Sequence, residues 1–205
     1  MIGVIDYGCG NVGSVLNMLS KIGVWGEIVR YPEKIKDMQA VILPGVGSFD
    51  TGVRGLREKG FWEPLRRHVE TENKPILGIC LGMQLLFEGS EEGSLPGFGW
   101  LPGKAARFNG RAVPRIPHIG WQPLQVTENG RALFADIAEP EYYFVHAYHA
   151  PADLDPAYVT AYCRYGYDFP AAVRKGQVWG AQFHPEKSLL AGMDLLKNFA
   201  RITTT

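Results

Sequence analysis

The chain has 205 residues, enough for one well-buried α/β core, and no shift in composition divides it, so a single domain over 1–205 is expected. Its 21 Lys and Arg balance 21 Asp and Glu, and a formal charge of zero argues against a nucleic-acid partner. No apolar run approaches the roughly 20 residues that span a bilayer, and the opening MIGVIDYGCG lacks a basic start, so neither a signal peptide nor a membrane partner is expected.

In chain order, residues 2–6 read as a strand that ends in Gly8-Cys9-Gly10-Asn11. Val12, Val15, Leu16, Leu19 and Ile22 then recur at helical spacing, giving the first half of a βαβ unit. Gly8, Gly10 and Gly13 match the letters of a dinucleotide fingerprint. The acidic residue due about 20 positions later is only loosely met by Glu33, so a tight turn feeding a helix is the simpler reading. Residues 27–30 and 40–43 are the next strands. The second runs into Pro44-Gly45-Val46-Gly47-Ser48-Phe49, where two glycines flank one residue. Such a backbone is free to present N–H groups to an anion or to turn a peptide over; an ordinary strand-to-helix loop is the alternative. Residues 61–72 form an amphipathic helix with Phe61, Leu65 and Val69 on one side. His68, set among Arg66, Arg67 and Glu70, is expected to face water.

The strongest signal lies in 74–88, KPILGICLGMQLLFE. Residues 75–79 read as a short, continuously apolar strand of a parallel sheet, and from Met83 the residues Leu85, Leu86 and Phe87 continue as helix. Between them Gly78-Ile79-Cys80-Leu81-Gly82 has the spacing of a nucleophile elbow with cysteine in place of serine. A residue on a tight strand-to-helix turn has a strained backbone and needs glycines on both sides to avoid collisions. The turn lifts its side chain to a helix N-terminus, where unpaired N–H groups favour a thiolate. A buried, inert cysteine is the bland alternative. Given an elbow, the N–H of Leu81 and the loop at Val46 would supply an oxyanion hole. Cys9, Cys80 and Cys163 are odd in number and not closely paired, which suggests reduced thiols and a cytoplasmic location.

A loop of small and acidic residues follows over 89–97, then a stretch dense in Gly and Pro with short β-like pieces over 103–126. Within it Pro117-His118-Ile119-Gly120-Trp121-Gln122 stands out, with Trp121 either core or interface anchor. Residues 142–148 look like a strand; its His146, with His149 just beyond, lacks an acidic or cysteine partner, so a structural or substrate-wall role rather than a metal site is expected. Residues 159–164, 171–174 and 178–183 read as a meander turning at Gly166 and at Lys175-Gly176. Its last strand ends in Phe183-His184-Pro185-Glu186. Residues two apart on extended chain share a face, so Glu186 can orient His184 as a general base. Alone, His-Pro-Glu is a common loop sequence; beside an elbow cysteine it becomes base and orienter. Residues 188–201 close the fold as a helix with Leu189, Leu190, Met193, Leu196 and Phe199 on its core face, and 203–205 form a short frayed tail.

Six separated stretches then coincide with one pattern: DYGCGN (6–11), LPGVGSF (43–49), GICLGMQLLFEGSEEG (78–93), PHIGWQ (117–122), YFVHAY (143–148) and QFHPEKS (182–188). On them the chain resembles class I glutamine amidotransferases, in particular the glutaminase subunits of imidazole glycerol phosphate synthase. Gln122 and Ala147 stand where Asn and a small hydroxyl residue are common in that subfamily. The resemblance implies a single doubly wound α/β domain with a mixed central sheet. It implies hydrolysis of L-glutamine to glutamate and ammonia, with neither cofactor nor metal. Cys80 would be the nucleophile, His184 the acid and base, and Glu186 its holder. Val46 and Leu81 would form the oxyanion hole, and Gly45 and Gln84 would contact glutamine. The ammonia would pass to a (β/α)8 cyclase subunit in a heterodimer, docked at Asn11, Trp121, Tyr143 and Lys187.

Overall fold

A computed structural model describes residues 1–203; of the expected tail, 204 and 205 lie outside the described residues. The first half runs Ile2–Ile5 (β1), Val12–Lys21 (α1), Gly26–Val29 (β2), Ala40–Gly45 (β3), Phe49–Glu58 (α2), Trp62–Arg66 (α3), Ile76–Cys80 (β4) and the single turn Leu81–Gln84 (α4). The second half runs Phe87–Ser90 (β5), Leu101–Arg107 (β6), His118–Val126 (β7), Glu141–His146 (β8), Tyr148–His149 (β9), Val159–Tyr165 (β10), Tyr167–Lys175 (β11), Val178–Ala181 (β12) and Leu189–Ile202 (α5).

Among the described residues, nine strands form one sheet in the order β2-β1-β3-β4-β12-β11-β10-β7-β8. The first five are parallel, and the rest pair antiparallel. Alternate residues of the parallel strands sort into two cores. Ile2, Val4, Ala40, Ile42, Leu77 and Ile79 join α1 and α5 on one face. Ile5, Val41, Leu43 and Ile76 join α2 and α3 on the other. Burial on both faces is why these strands read as unbroken apolar runs, each Val, Leu or Ile contributing about 1.5–3 kcal/mol. The fold is therefore a single doubly wound α/β domain with a mixed central sheet. A smaller sheet, β5-β6-β9, sits beside it.

Parallel strands end together, so the loops after β1, β3, β4 and β12 leave from one edge. The far strands curl back over that edge. The His184 N–H donates to the Tyr143 carbonyl at 2.9 Å. Ser188 Oγ accepts from the Tyr143 N–H at 3.0 Å and donates to the His184 carbonyl at 2.6 Å. The end of β12 is thereby tied to β8.

Four local expectations change. The elbow helix stops at Gln84, and Phe87 opens β5 rather than continuing a helix. The Leu86 carbonyl is taken by the N–H groups of Trp100 and Leu101, so a distant strand captures the chain. His68 is 1% exposed rather than solvated. It lies three residues past Leu65, hence on the same helical face, and its Nε2 lies 3.3 Å from the Pro75 carbonyl. Leu189 and Leu190 are exposed, because Leu189 at φ +49° leaves the helical register and the core stripe is Gly192, Leu195, Leu196 and Phe199. The helix α2, finally, covers residues after the strand-to-helix loop for which the sequence reading names no element. Gly52 and Gly55 weaken its local helical preference yet let it pack closely; a Cβ on Gly55 would lie 2.9 Å from the Tyr7 carbonyl oxygen.

Candidate active site

Cys80 holds φ +54° and ψ −110°, a backbone that L-residues avoid at a cost of about 1–3 kcal/mol. Its neighbours explain why glycine is required on both sides. A Cβ on Gly78 would lie 2.7 Å from the Met83 nitrogen, and one on Gly82 would overlap the Leu43 carbonyl oxygen. Strand β4 and helix α4 meet at this angle only because neither position carries a side chain.

Cys80 and His184 line one cavity of about 280 Å³, together with Val46, Leu81, Gln84 and Glu92. Both are buried apart from that opening. The Glu186 carboxylate lies behind the imidazole, with Oε1 2.7 Å from Nδ1, and both side chains are almost fully enclosed. Nδ1 therefore carries the hydrogen. Nε2 is buried and, among the described residues, has no directed hydrogen-bond partner. The pull of Cys80 on it is that of a nearby sulfur rather than of a formed hydrogen bond. Burial, the largest influence, opposes the imidazolium, but Cys80 and then Glu186 outweigh it and raise the His184 pKa to about 9.

Val46, from the loop after β3, and Leu81, the first residue of α4, both line the cavity with Cys80. Gly45 pairs with Cys80 in the β3–β4 register but does not line the cavity. Its role is steric, since a Cβ there would lie 2.6 Å from Tyr7 Oη and 2.8 Å from the Gly82 nitrogen. Gly47, at φ +106°, has open space around it.

Three features escape a linear reading. Glu92, in the acidic loop after β5, reaches the cavity rim while its Oε2 accepts from the Phe49 N–H at 2.8 Å. Gln182 is fully buried beneath the sulfur, with Nε2 3.8 Å from Cys80 Sγ and Oε1 3.2 Å from Gln84 Nε2. His146 lines the cavity; its Nε2 lies 3.0 Å from His118 Nδ1, and its Nδ1 lies 2.7 Å from the Tyr148 carbonyl. Burial lowers the His118 pKa to about 4 and holds His146 well below the usual imidazole range. The only sequence signals were an acidic pair after the elbow and scattered buried-type histidines, neither of which carries its partner in the sequence nearby.

Beside the cavity mouth, Trp121 and Tyr143 are register partners on β7 and β8, their rings edge to face at 6.1 Å. Lys187 Nζ sits 5.6 Å from the Tyr143 ring centre, and Trp121 is 41% exposed. Asn11 is exposed at the same sheet edge and caps α1, its side-chain oxygen accepting from the Ser14 N–H at 3.1 Å.

The family model for "Glutamine amidotransferase class-I" matches residues 3–202. The chain is 42% identical over 202 residues to "Imidazole glycerol phosphate synthase subunit HisH 2" of Pseudomonas aeruginosa, covering 98% of this chain and 100% of that one. It is 45% identical over 196 residues to "Imidazole glycerol phosphate synthase subunit HisH" of Carboxydothermus hydrogenoformans, covering 95% and 96%. Among solved structures, one titled "Crystal structure of glutamine amidotransferase" superposes with a TM-score of 0.76 at 25% identity, covering 100% of this chain and 99% of that one.

Proposed function

The chain belongs to the class-I glutamine amidotransferase family, and from that premise we propose that it works as the glutaminase subunit of an imidazole glycerol phosphate synthase in histidine biosynthesis. The observation that carries the reading is the meeting of Cys80 and His184 in one cavity, with Glu186 on the far ring nitrogen.

The Cys80 thiolate adds to the side-chain amide carbon of L-glutamine, and the oxyanion takes the N–H groups of Leu81 and Val46. Imidazolium is the form of His184 that a pKa of about 9 maintains at neutral pH, so a proton is ready for the departing nitrogen. The C–N bond breaks, ammonia leaves, and a γ-glutamyl thioester remains on sulfur. Neutral His184 then takes a proton from water, hydroxide adds to the thioester, and collapse expels the thiolate with glutamate. Glu186 keeps Nδ1–H in place so that Nε2 faces the chemistry throughout.

At the other end of glutamine, Glu92 is the carboxylate among the cavity's lining residues, and it suits the α-ammonium group. Gln84 spends its amide N–H groups on Tyr148 and Gln182, which leaves its carbonyl oxygen to receive a substrate N–H. Ammonia released into bulk water would be lost, so a second subunit must receive it. We assign the strip of Trp121, Tyr143 and Lys187, with Asn11 beside it, to docking a (β/α)8 cyclase. That strip joins the cavity through the His184–Tyr143 hydrogen bond. The cytoplasm is the compartment this reading implies; Cys9, Cys80 and Cys163 are free thiols.

Glutaminase assays on the purified chain, alone and with the cyclase subunit, test the reading. Glutamate release that rises with the cyclase, and that Cys80→Ser abolishes, is expected. Release that is equal with and without the cyclase, or that survives in Cys80→Ser, overturns it.

A further inference from the structure

One backbone carbonyl fixes the direction of every hydrogen bond behind the nucleophile. The Tyr148 oxygen can only accept, so the Gln84 atom 3.0 Å away must be its amino nitrogen. The Gln182 atom facing that nitrogen at 3.2 Å must then be its carbonyl oxygen. That leaves the Gln182 amino group directed at Cys80 Sγ, 3.8 Å away. In the other direction, the same Tyr148 oxygen takes the Nδ1 hydrogen of His146, whose Nε2 lone pair takes the Nδ1 hydrogen of His118. Flipping Gln84 would set its carbonyl oxygen against the Tyr148 carbonyl, and flipping Gln182 would set its amino group against that of Gln84.

We propose that Gln182 is a thiolate-binding residue of the reaction, its amide N–H held toward Cys80 Sγ by the Tyr148 carbonyl acting through Gln84. The inference rests on the reading of Cys80 as nucleophile and adds a named group to it. The geometry separates two states of the sulfur. As a thiol, Sγ–H has the Val145 carbonyl at 3.9 Å as its acceptor. As a thiolate it can only accept, and Gln182 Nε2 is the fixed, buried N–H donor that reaches it. Hydrogen bonds to charged groups exceed those between neutral ones, and a donor without water access is not screened. Gln182 is therefore selective for the reactive form. Its backbone is anchored independently of the network, since Gln182 N–H donates to the Ala171 carbonyl at 2.8 Å just past the end of β12. The side chain enters the site from a rigid element.

The test is the second-order rate of Cys80 alkylation by iodoacetamide at pH 7, read on the Cys80 peptide by mass spectrometry, for wild type, Gln182→Met and Gln182→Glu. The first variant keeps the volume and removes the donor; the second offers the sulfur a carboxylate. About ten-fold slower alkylation in Gln182→Met, and slower still in Gln182→Glu, is expected. With the cyclase present, kcat for glutamine should fall by a similar factor in Gln182→Met while KM changes less than two-fold. A purely packing role predicts equal alkylation in both variants and in wild type, and that result overturns the inference. A measurement on the unaltered chain does not depend on either variant folding: the Gln182 side-chain amide ¹H–¹⁵N signals must shift when Cys80 is alkylated, and unshifted signals overturn the inference too. Wild-type alkylation that glutamine fails to protect would instead sink the nucleophile reading itself, so the two failures are told apart.

Discussion

Gly82 lies so close to Leu43 that a methyl group on its Cα would overlap the Leu43 carbonyl oxygen. This contact, between the helix after the elbow and the strand beside it, fixes how near Cys80 comes to the loop at Val46. Gly82→Ala should destabilise by about 3 kcal/mol, the upper end of overpacking costs, because backbone rather than a flexible side chain must move. Gly176→Ala is the control. It has a positive φ of 58° but open space, so only the left-handed backbone penalty of about 1–2 kcal/mol applies. Urea unfolding midpoints check the pair; equal losses would mean the Leu43 contact is soft.

Removing the charge behind His184 makes a second test. Glu186→Gln keeps the shape of the side chain but not the carboxylate that holds Nδ1–H at 2.7 Å. We expect kcat to fall about 10²-fold with little change in KM, since Glu186 does not line the cavity. Glu186 is also one of the two groups that lift the His184 pKa to about 9. The alkaline limb of the kcat profile should accordingly move to lower pH in the variant. A limb that stays in place would assign it to another group.

Much of this was legible from local patterns, and most of what was not depends on contacts between distant segments. The parallel strands were readable because burial on both faces leaves unbroken apolar runs, as in Ala40–Gly45 and Ile76–Cys80. The elbow was readable because its steric demand falls on adjacent residues, Gly78 and Gly82. Phe87 misled because a strand from 101 onward, not its own neighbours, decides its state. His68 misled through its charged neighbours, when the spacing from Leu65 already placed it inward. Glu92, Gln182 and the His118–His146 pair reach the site through contacts between distant segments, which no local pattern reports.

The docking strip gives a third prediction. Trp121 is a large exposed ring braced by Tyr143, the form an interface anchor takes. Trp121→Ala should weaken binding to the cyclase by about 2 kcal/mol, roughly thirty-fold in Kd. Isothermal titration reads it directly. Because the ring is not part of either core, the variant should unfold within a few degrees of wild type. An unchanged Kd would remove Trp121 from the interface.

Buried histidines should set the acid limit of the fold. His68 and His118 have pKa values lowered to about 4, with burial as the largest cause in each case, and His146 is held well below the usual range. Unfolded imidazoles titrate near 6.5, so between about pH 6.5 and 4 the unfolded chain binds more protons and stability falls as pH falls. His68 and His118 each contribute on the order of 1–3 kcal/mol across that window, and His146 acts in the same direction. His184 acts in the opposite sense. Its folded pKa of about 9 lies above the unfolded value, so its contribution is whole below 6.5 and is lost as pH rises toward 9. Stability should therefore peak near neutral pH and fall on both sides. His118→Phe should flatten only the acid side, because a phenyl ring keeps the stacking on Phe144 and Tyr165 without a site to protonate. Thermal melts of wild type and variant from pH 4.5 to 9 read both limbs, and an acid limb equally steep in the variant would exclude His118 as its source.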